Sequence, residues 1–173
     1  MARLTCQGTL RRALPWPATP QPRQELPLTV SELEIRDGLA PELLGRLLRF
    51  YDREWWSRGR SRADVERMLA GSEVVISVID TGSGELVGFV RAITDGVYRG
   101  VLFDLIVEPA YRGRGLGAEL VRRVHDHPAM SRCGRVELIC IEAMVPFYEA
   151  LGYVLAPPER LRMVWTRPGS SMT

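Results

Sequence analysis

The sequence predicts a mixed α/β fold, an α+β sandwich in which helices pack on a central sheet. Segments rich in β-branched and apolar residues are interspersed with segments whose apolar residues recur at helical spacing. Three of the strand-like segments follow one another and are separated only by turn residues, which predicts antiparallel hairpins. The 173 residues suffice for one domain whose core needs no disulfide or metal.

The N-terminal residues are set apart by their prolines. Proline fits neither the interior of a helix nor a central strand. We therefore interpret residues 1–29 as a Pro-rich tail, for which disorder is one interpretation, and residues 30–173 as the folded domain. The prolines of the tail are Pro15, Pro17, Pro20, Pro22 and Pro27.

A strand and two helices are predicted to open the domain. Residues 30–36 alternate between apolar and polar side chains, as in a half-buried strand. Pro41 suits the first turn of a helix, and leucines follow it at helical spacing. Ser61 is the predicted N-cap of a second helix, with Asp64 three residues later, and Gly71 ends that helix.

The middle of the domain is predicted to hold three strands and a third helix. Residues 74–80 and 86–94 are apolar and flank a Gly-rich hairpin turn. Residues 98–107 form the next strand, after a second turn. A helix follows Gly115, because the residues after it place apolar side chains on one face.

The last elements are predicted to be a strand, a helix and a final strand. Residues 136–141 are apolar enough for a buried strand, and residues 142–151 form a helix that Gly152 stops. Residues 161–166 give the last strand, and a further short strand is an option near Tyr153. The predicted order is βααβββαβαβ.

Composition excludes several classes of partner. The net charge of +2 is too small to indicate nucleic acid or an anionic membrane. No apolar run reaches the roughly 18 to 20 residues that span a bilayer. Cys6, Cys133 and Cys140 form no C-x-x-C pair, which is typical of a reducing compartment. We expect a cytoplasmic protein.

The most informative motif is the Gly-rich segment at residues 112–117, RGRGLG, which opens directly into a helix. The start of a helix leaves backbone N–H groups unpaired and carries positive potential. Glycines allow a bulky anion to approach that backbone. The segment therefore predicts a phosphate or pyrophosphate site, to which Arg112 and Arg114 could add charged contacts.

A dinucleotide fold is one alternative for this motif. Gly113, Gly115 and Ala118 satisfy its G-x-G-x-x-G/A pattern. That fold places the glycines directly after a strand and continues with repeated βαβ units. Here a four-residue connector, EPAY, intervenes, and the preceding strands are joined by hairpins, so the context argues against it.

Two motifs together resemble the GNAT superfamily of N-acyltransferases. One is R-x-x-G-x-G at Arg112, Gly115 and Gly117, which resembles the superfamily's CoA-pyrophosphate loop. The other is PFYEALGY at residues 146–153, which is similar to its FYEKLGF helix. The resemblance implies a mostly antiparallel sheet with a splay between two parallel strands and helices on both faces.

The resemblance also implies roles for individual residues. The strand before the loop would bind the pantetheine arm and acetyl carbonyl, with a backbone N–H near Ile106 or Val107 stabilising the oxyanion. Tyr148 would protonate the departing CoA thiolate, although it could also be only a packed aromatic. The residues implied to bind acetyl-CoA are Leu105, Ile106, Val107, Arg112, Gly113, Arg114, Gly115, Leu116, Gly117 and Ala118.

The general base is left open by the sequence. Many members of the superfamily place Glu or His where this chain has Phe103, which cannot take a proton. Asp104 is the nearest acid, but strand alternation turns it to the opposite face unless a bulge intervenes. Asp104 is therefore a candidate catalytic base, or else a structural or substrate-anchoring acid, and Glu142, Glu137 or a water molecule are alternatives for the base.

The acceptor wall is expected between the first two helices. Tyr51, Trp55 and Trp56 lie there and could present an aromatic face to a cationic or aromatic amine, or could serve only in packing. His125 and His127 are two residues apart, which does not place them on one helix face, so capping is favoured over metal binding. No metal site is predicted.

The predicted function is N-acetylation of a primary amine, expected to be a small molecule, by acetyl-CoA. The amine would attack the thioester directly in a ternary complex, without a metal. A regulatory module that binds acyl-CoA without turnover is the alternative, since the acid is missing at Phe103. No nucleic-acid or membrane partner is expected, and a homodimer is an option.

Overall fold

The computed structural model describes residues 33–157 and 162–165. The tail predicted over residues 1–29, and the first residues of the predicted opening strand, lie outside the described residues. The strands are β1 (Leu33–Asp37), β2 (Val74–Asp80), β3 (Leu86–Thr94), β4 (Gly100–Val107) and β5 (Val136–Glu137). The α-helices are α1 (Leu44–Arg53), α2 (Arg62–Ala70), α3 (Leu116–Asp126) and α4 (Val145–Glu149).

The strands form one sheet in sequence order, β1-β2-β3-β4-β5. The first three neighbouring pairs are antiparallel, and β4 pairs with β5 in parallel. The predicted mixed fold with a mostly antiparallel sheet and one parallel pair is confirmed. None of the helices in the described residues is long and apolar enough to cross a membrane.

Two hydrophobic clusters place helices on both faces of the sheet. On one face, α3 packs on the sheet through Leu116, Leu120, Val121 and Val124, and Tyr148 joins the same cluster. On the other face, α1 and α2 contribute a second cluster, whose helical members are Leu44, Leu47, Phe50, Tyr51 and Val65. These faces were predicted from the apolar periodicity of the same helices.

The helix starts follow local chemistry. The Ser61 hydroxyl accepts a hydrogen bond from Asp64 N at 3.1 Å, which confirms the predicted cap of α2. Pro41 opens a 3₁₀ turn that leads into α1. The helix predicted over residues 142–151 is divided into a 3₁₀ turn and α4, before Gly152 at a φ of 87°.

β4 and β5 part soon after they meet. Their pairing is limited to Gly100 with Val136 and Val101 with Glu137, although β4 continues to Val107. The strand predicted over residues 136–141 is therefore wrong in its extent, and it is not buried, since Ile139 is 67% exposed. Once the two strands separate, the later residues have no ladder to join.

The predicted last strand is also wrong in the part that the structure describes. Residues 162–165 have no strand structure and are exposed. Because β5 is paired over only two residues, it offers almost no ladder for a further strand. No strand forms at Tyr153 either, whose ring instead packs against His125.

Truncation of the α3 face should be costly. Leu120 is fully buried in the α3 cluster, so Leu120→Ala should lower the free energy of unfolding by about 2–5 kcal/mol, measured by urea denaturation. Leu155→Ala deletes the same atoms from a side chain that is 69% exposed, and should cost no more than about 0.5 kcal/mol. Equal losses in the two variants would contradict the assigned core.

Candidate functional site

A groove of ≈ 1180 Å³ lies where β5 ends, and its lining includes Val101 of β4, the chain after β5 and α4. Beyond Val101, the edge of β4 that faces β5 has no ladder partner among the described residues. Unpaired backbone groups of a strand need partners, which a ligand with amide groups can supply. The lining of the groove includes Leu138, Cys140, Tyr148, Tyr153 and Val154.

The Gly-rich loop forms a turn of unpaired backbone N–H groups at the start of α3. Gly113 and Gly115 hold φ values of 75° and 82°, in the left-handed region that favours glycine. The N–H of Glu119 bonds to Gly115 O at 3.0 Å, whereas those of residues 113–118 have no hydrogen bond within the described part of the chain. This is the donor array that a phosphate group requires.

The side chains of Arg112 and Arg114, the two arginines of the loop, differ in their contacts and exposure. The Arg112 side chain bends back, so that Nε donates to Val107 O at 2.8 Å and Nη2 lies 3.9 Å from Glu54. Arg112 therefore braces the end of β4, and its backbone alone faces the loop. Arg114 is exposed and keeps its charge beside the N–H groups.

Gly117 brings α4 against the start of α3. A Cβ on Gly117 would lie 3.4 Å from Phe147 Cζ, so the absence of a side chain permits this close approach. Phe147 and Tyr148 then meet edge to face, with their ring centroids 4.9 Å apart. The start of α3, which follows the predicted pyrophosphate loop, and the predicted acid, Tyr148, are thus brought close together.

Tyr148 is a buried, neutral phenol. Burial raises its pKa to about 12, and Cys140 and Tyr153 act in the same direction. Its ring also meets Tyr153 edge to face at 5.6 Å. Because the proton is held throughout the physiological range, the hydroxyl can donate to a thiolate that forms beside it.

Tyr153 and His125 form a polar pair next to Tyr148 that the sequence analysis did not assign to the site. Their Nε2 and OH atoms are 2.8 Å apart. Burial raises the pKa of Tyr153 to about 12 and lowers that of His125, so both are neutral near pH 7. The signal in the sequence was weak: His125 lies one turn after Val121, on the buried face of α3.

A β-bulge in β4 turns Asp104 toward the face that carries α1 and α2. Phe89 pairs with Ile106 and Arg91 pairs with Phe103, so one residue of β3 faces two residues of β4. Asp104 has a φ of 54°, the one positive value at a non-glycine position among the described residues. The β-bulge that Asp104 needs in order to share a face of the sheet with Phe103 is therefore present.

The Asp104 carboxylate is 4% exposed and is held by three donors. Its Oδ2 accepts hydrogen bonds from Arg91 Nε at 2.6 Å, Arg60 Nη1 at 3.0 Å and the Tyr51 hydroxyl at 3.0 Å. Arg60 Nη2 lies 3.5 Å from the other oxygen. We call Asp104, Arg60, Arg91 and Tyr51 the Asp104 cluster.

The aromatic side chains of the predicted acceptor wall do not lie together as an open surface. Tyr51 is fully buried, while Trp55 is 60% exposed. Arg60 lies over the rings of Tyr51 and Trp56, with its Cζ 4.4 Å and 5.6 Å from their centroids. The position that a cationic amine would take on these two rings is therefore occupied by a guanidinium.

The alternative bases are placed apart from the Asp104 cluster. Glu137 is paired with Arg99 at 2.6 Å, and Glu142 is exposed at the turn before α4. His127 caps the turn after α3, because its Nδ1 accepts from Ala129 N. In the residues that the structure describes, no group of three or more His, Cys, Asp or Glu side chains could hold a metal ion.

Comparisons with known proteins agree with this geometry. A profile of the acetyltransferase (GNAT) family matches residues 33–153. A crystal structure from Deinococcus radiodurans, assigned as an acetyltransferase, is 28% identical, with a TM-score of 0.63 over 78% of this chain and 90% of that chain.

Two curated relatives match the chain over a shorter stretch. Serotonin N-acetyltransferase 2 of Oryza sativa, a chloroplastic protein, is 32% identical over 57% of this chain and 50% of its own length. A Drosophila melanogaster protein named as a glucosamine 6-phosphate N-acetyltransferase is 32% identical over 53% of this chain and 45% of its own. The matched part spans about half the length of these relatives. Since one relative is chloroplastic, the cytoplasmic location stays a prediction.

The two raised tyrosine pKa values predict a late alkaline transition. Tyrosines of an unfolded chain ionise near pH 10, whereas Tyr148 and Tyr153 should ionise near pH 12. Their contribution to stability is therefore complete below about pH 10 and lost as the pH rises through 12. Phenolate absorbance should show a late phase that shrinks in Tyr148→Phe and in Tyr153→Phe. A native titration that ends near pH 10 would contradict this.

Proposed function

Because the chain belongs to the acetyltransferase (GNAT) family, we propose that it transfers an acetyl group from acetyl-CoA to an amine nitrogen by direct attack in a ternary complex. One observation carries the proposal. The unpaired N–H groups at the start of α3 lie where Gly117 meets Phe147, the phenol of the adjacent Tyr148 lines the groove, and the edge of β4 beyond Val101 is open. These features suit the pyrophosphate, the pantetheine arm and the thioester sulfur of one ligand.

The donor site fits acetyl-CoA from end to end. The N–H groups of residues 113–118 would hold the pyrophosphate, and Arg114 would add a positive charge. The pantetheine amides would pair with the open edge of β4 at Leu105 to Val107, as an added strand does. Residues on both sides of the groove would then exclude water from the thioester.

Strand alternation favours Val107 over Ile106 as the oxyanion donor. Glu108 N bonds to Val87 O on β3, so the preceding N–H, that of Val107, should point to the other side of β4. That side is the open edge of β4. An N–H held there would stabilise the negative oxygen of the tetrahedral intermediate.

The proposed reaction conserves its atoms within the ternary complex. The nitrogen lone pair forms a bond to the thioester carbonyl carbon, and the carbon–sulfur bond breaks to give the amide and the CoA thiolate. Tyr148 donates its proton to the thiolate and regains one from solvent. The ammonium must lose one proton before attack, and a bound water is its first acceptor. The nitrogen loses a second proton to water as the tetrahedral intermediate collapses to the amide.

Asp104 suits a positioning role better than that of a base. Its Oδ2 already accepts from Tyr51, Arg60 and Arg91, and protonation would weaken the ion pairs with both guanidinium groups. In this proposal Asp104 fixes the shape of the acceptor side. The candidate catalytic residue is then Tyr148.

A small-molecule amine is the proposed acceptor. The two curated relatives are named for an aromatic amine and for a phosphorylated amino-sugar, so both classes belong in an acceptor panel. Free-thiol release from acetyl-CoA across that panel tests the activity. Release with some amines and not with others would establish transfer, whereas none at all would leave only donor binding.

An acyl-CoA sensor is the second candidate function, and one observation favours it. The Phe103 ring stands where the resemblance implies Glu or His, lies 4.5 Å from Arg91 Cζ and offers no proton acceptor. A sensor would bind acetyl-CoA and release no thiol with any amine. Detection of amine-dependent thiol release would exclude it.

Removal of the Tyr148 hydroxyl should slow turnover. Tyr148→Phe is expected to lower kcat by about a hundredfold or more, because the leaving thiolate loses its proton donor, while the Kd of CoA stays within a few-fold. Tyr98→Phe removes the same atom from a ring that is 75% exposed and should leave kcat unchanged. Unchanged turnover in Tyr148→Phe would remove Tyr148 from the mechanism.

Strain in the loop should weaken donor binding. A side chain at Gly115 disfavours the left-handed backbone by about 1–2 kcal/mol, so Gly115→Ala should raise the Kd of CoA about tenfold in calorimetric titration. Gly84→Ala introduces comparable strain, at a φ of 66° in the β2–β3 hairpin, and should leave that Kd unchanged. An equal loss of affinity in both variants would point to general destabilisation.

A further inference from the structure

We propose that Arg60 anchors an anionic group, a carboxylate or a phosphate, that the acceptor amine carries. The inference rests on the proposed function, because it concerns the face of β4 from which the acceptor reaches the thioester. Four observations support it. They are the charge of the Asp104 cluster, the exposure of Arg60, the occupied aromatic rings and the position of the cluster along β4.

The Asp104 cluster carries an uncompensated positive charge. Arg60 and Arg91 share one carboxylate, and neither forms an ion pair with a second acid among the described residues. Tyr51 cannot supply negative charge, since burial and the neighbouring Asp104 raise its pKa. A positive charge in a poorly solvated site favours an anionic ligand.

Arg60 is the member of the cluster that a ligand can reach. Its side chain is 28% exposed, whereas those of Arg91 and Asp104 are 8% and 4% exposed. In the described structure its bonds use Nη1 and Nη2, which leaves the Nε–H without a partner. A planar guanidinium with a free donor edge is suited to carboxylate and phosphate oxygens.

The same guanidinium disfavours a cationic group at this wall. It covers the rings of Tyr51 and Trp56, which would otherwise attract an ammonium through cation–π contact. An ammonium placed there would meet like charge instead. The wall therefore selects for the acid group of the acceptor and leaves its amine to point away, toward the thioester.

The position of the cluster limits the size of the acceptor. Asp104 precedes the proposed oxyanion donor, Val107, by three residues of β4, which is roughly 10 Å of strand. The amine and the anionic group of the acceptor would therefore be no more than roughly 10 Å apart. Amino acids and phosphorylated amino-sugars or amino-alcohols fall within this limit and have this chemistry.

The anion site can be tested without turnover. Inorganic phosphate is the probe, and the indole N–H signal of Trp56 in NMR spectra is the readout, because this ring lies beside Arg60. A saturable shift is expected in the native protein and in Gly115→Ala, whose defect is in the other phosphate site. It should be lost in Arg60→Gln and kept in Arg58→Gln, a matched change at an exposed arginine.

A shift of the same affinity in Arg60→Gln, or no shift in the native protein, would overturn the proposal. If loss of the ion pair with Asp104 unfolds Arg60→Gln, Arg60→Lys replaces it. Lysine keeps the charge but not the planar fork, so phosphate should bind at least several-fold more weakly. Unchanged affinity in Arg60→Lys would also overturn the proposal.

Transfer assays then test the role of the anion in the acceptor. Ethylamine, β-alanine and phosphoethanolamine share an aminoethyl group and differ in the absence of an acid, a carboxylate and a phosphate. At least one acid-bearing amine should exceed ethylamine about tenfold in kcat/KM, and Arg60→Gln should remove this preference through KM. The ranking of the two acids identifies the anion.

Two results of the assays have distinct meanings. Ethylamine as good an acceptor as both acids would overturn the role of Arg60 in acceptor choice, while transfer itself stands. No thiol release with any amine, with Arg60-dependent phosphate binding intact, would overturn the proposed transfer and leave an anion site on a protein of another activity.

Discussion

The short pairing between β4 and β5 is the constraint on which the rest of the site depends. Strands that stayed paired would use the backbone groups of β4 within the sheet and would leave no groove. Because pairing stops after Val101, the edge of β4 stays open, and the chain after Glu137 can turn away and lead into α4. The same turn lets Phe147 meet Gly117 at the start of α3. One departure from regular pairing therefore brings the loop, the open strand edge and Tyr148 together.

The bulge at Asp104 is a second irregularity of β4, and it serves the opposite face of the sheet. A left-handed conformation costs a non-glycine residue about 1–2 kcal/mol. The hydrogen bonds from Tyr51, Arg60 and Arg91 offset this cost and also fix the connector between α1 and α2 against the sheet. Strained residues of this kind cluster at functional sites, where the surrounding contacts determine their conformation. β4 thus shapes the proposed donor side through its open edge and the proposed acceptor side through its bulge.

Local features of the site could be predicted from the sequence, and contacts between distant segments could not. Gly113 and Gly115 indicate a left-handed turn before a helix, and Ser61 indicates a helix N-cap. Both features depend only on residues that are adjacent in the sequence. The Asp104 cluster joins residues up to 53 positions apart, and the pair of His125 and Tyr153 spans 28. No periodicity reveals such pairs. Periodicity also failed at residues 136–141 and at 162–165, the described part of the predicted last strand, because an apolar segment has the same pattern whether or not a neighbouring strand is present to pair with it.

The proposed donor side and the proposed acceptor side of the site are built from different kinds of group, backbone on one side and side chains on the other. The donor side uses backbone groups: the N–H groups of residues 113–118 and the edge of β4. Hydrogen bonds made by backbone groups survive the exchange of side chains, so long as glycine is kept where the turn requires it. The acceptor side uses side chains, those of Arg60, Trp56 and the residues that hold them. Exchanges at these positions can alter which amine is favoured without disturbing the loop, because the two sets lie on opposite faces of the sheet. A fold arranged in this way can keep one acyl donor while its acceptors diverge. For this reason the proposed donor follows from a local motif, whereas the proposed acceptor is inferred from a buried charge.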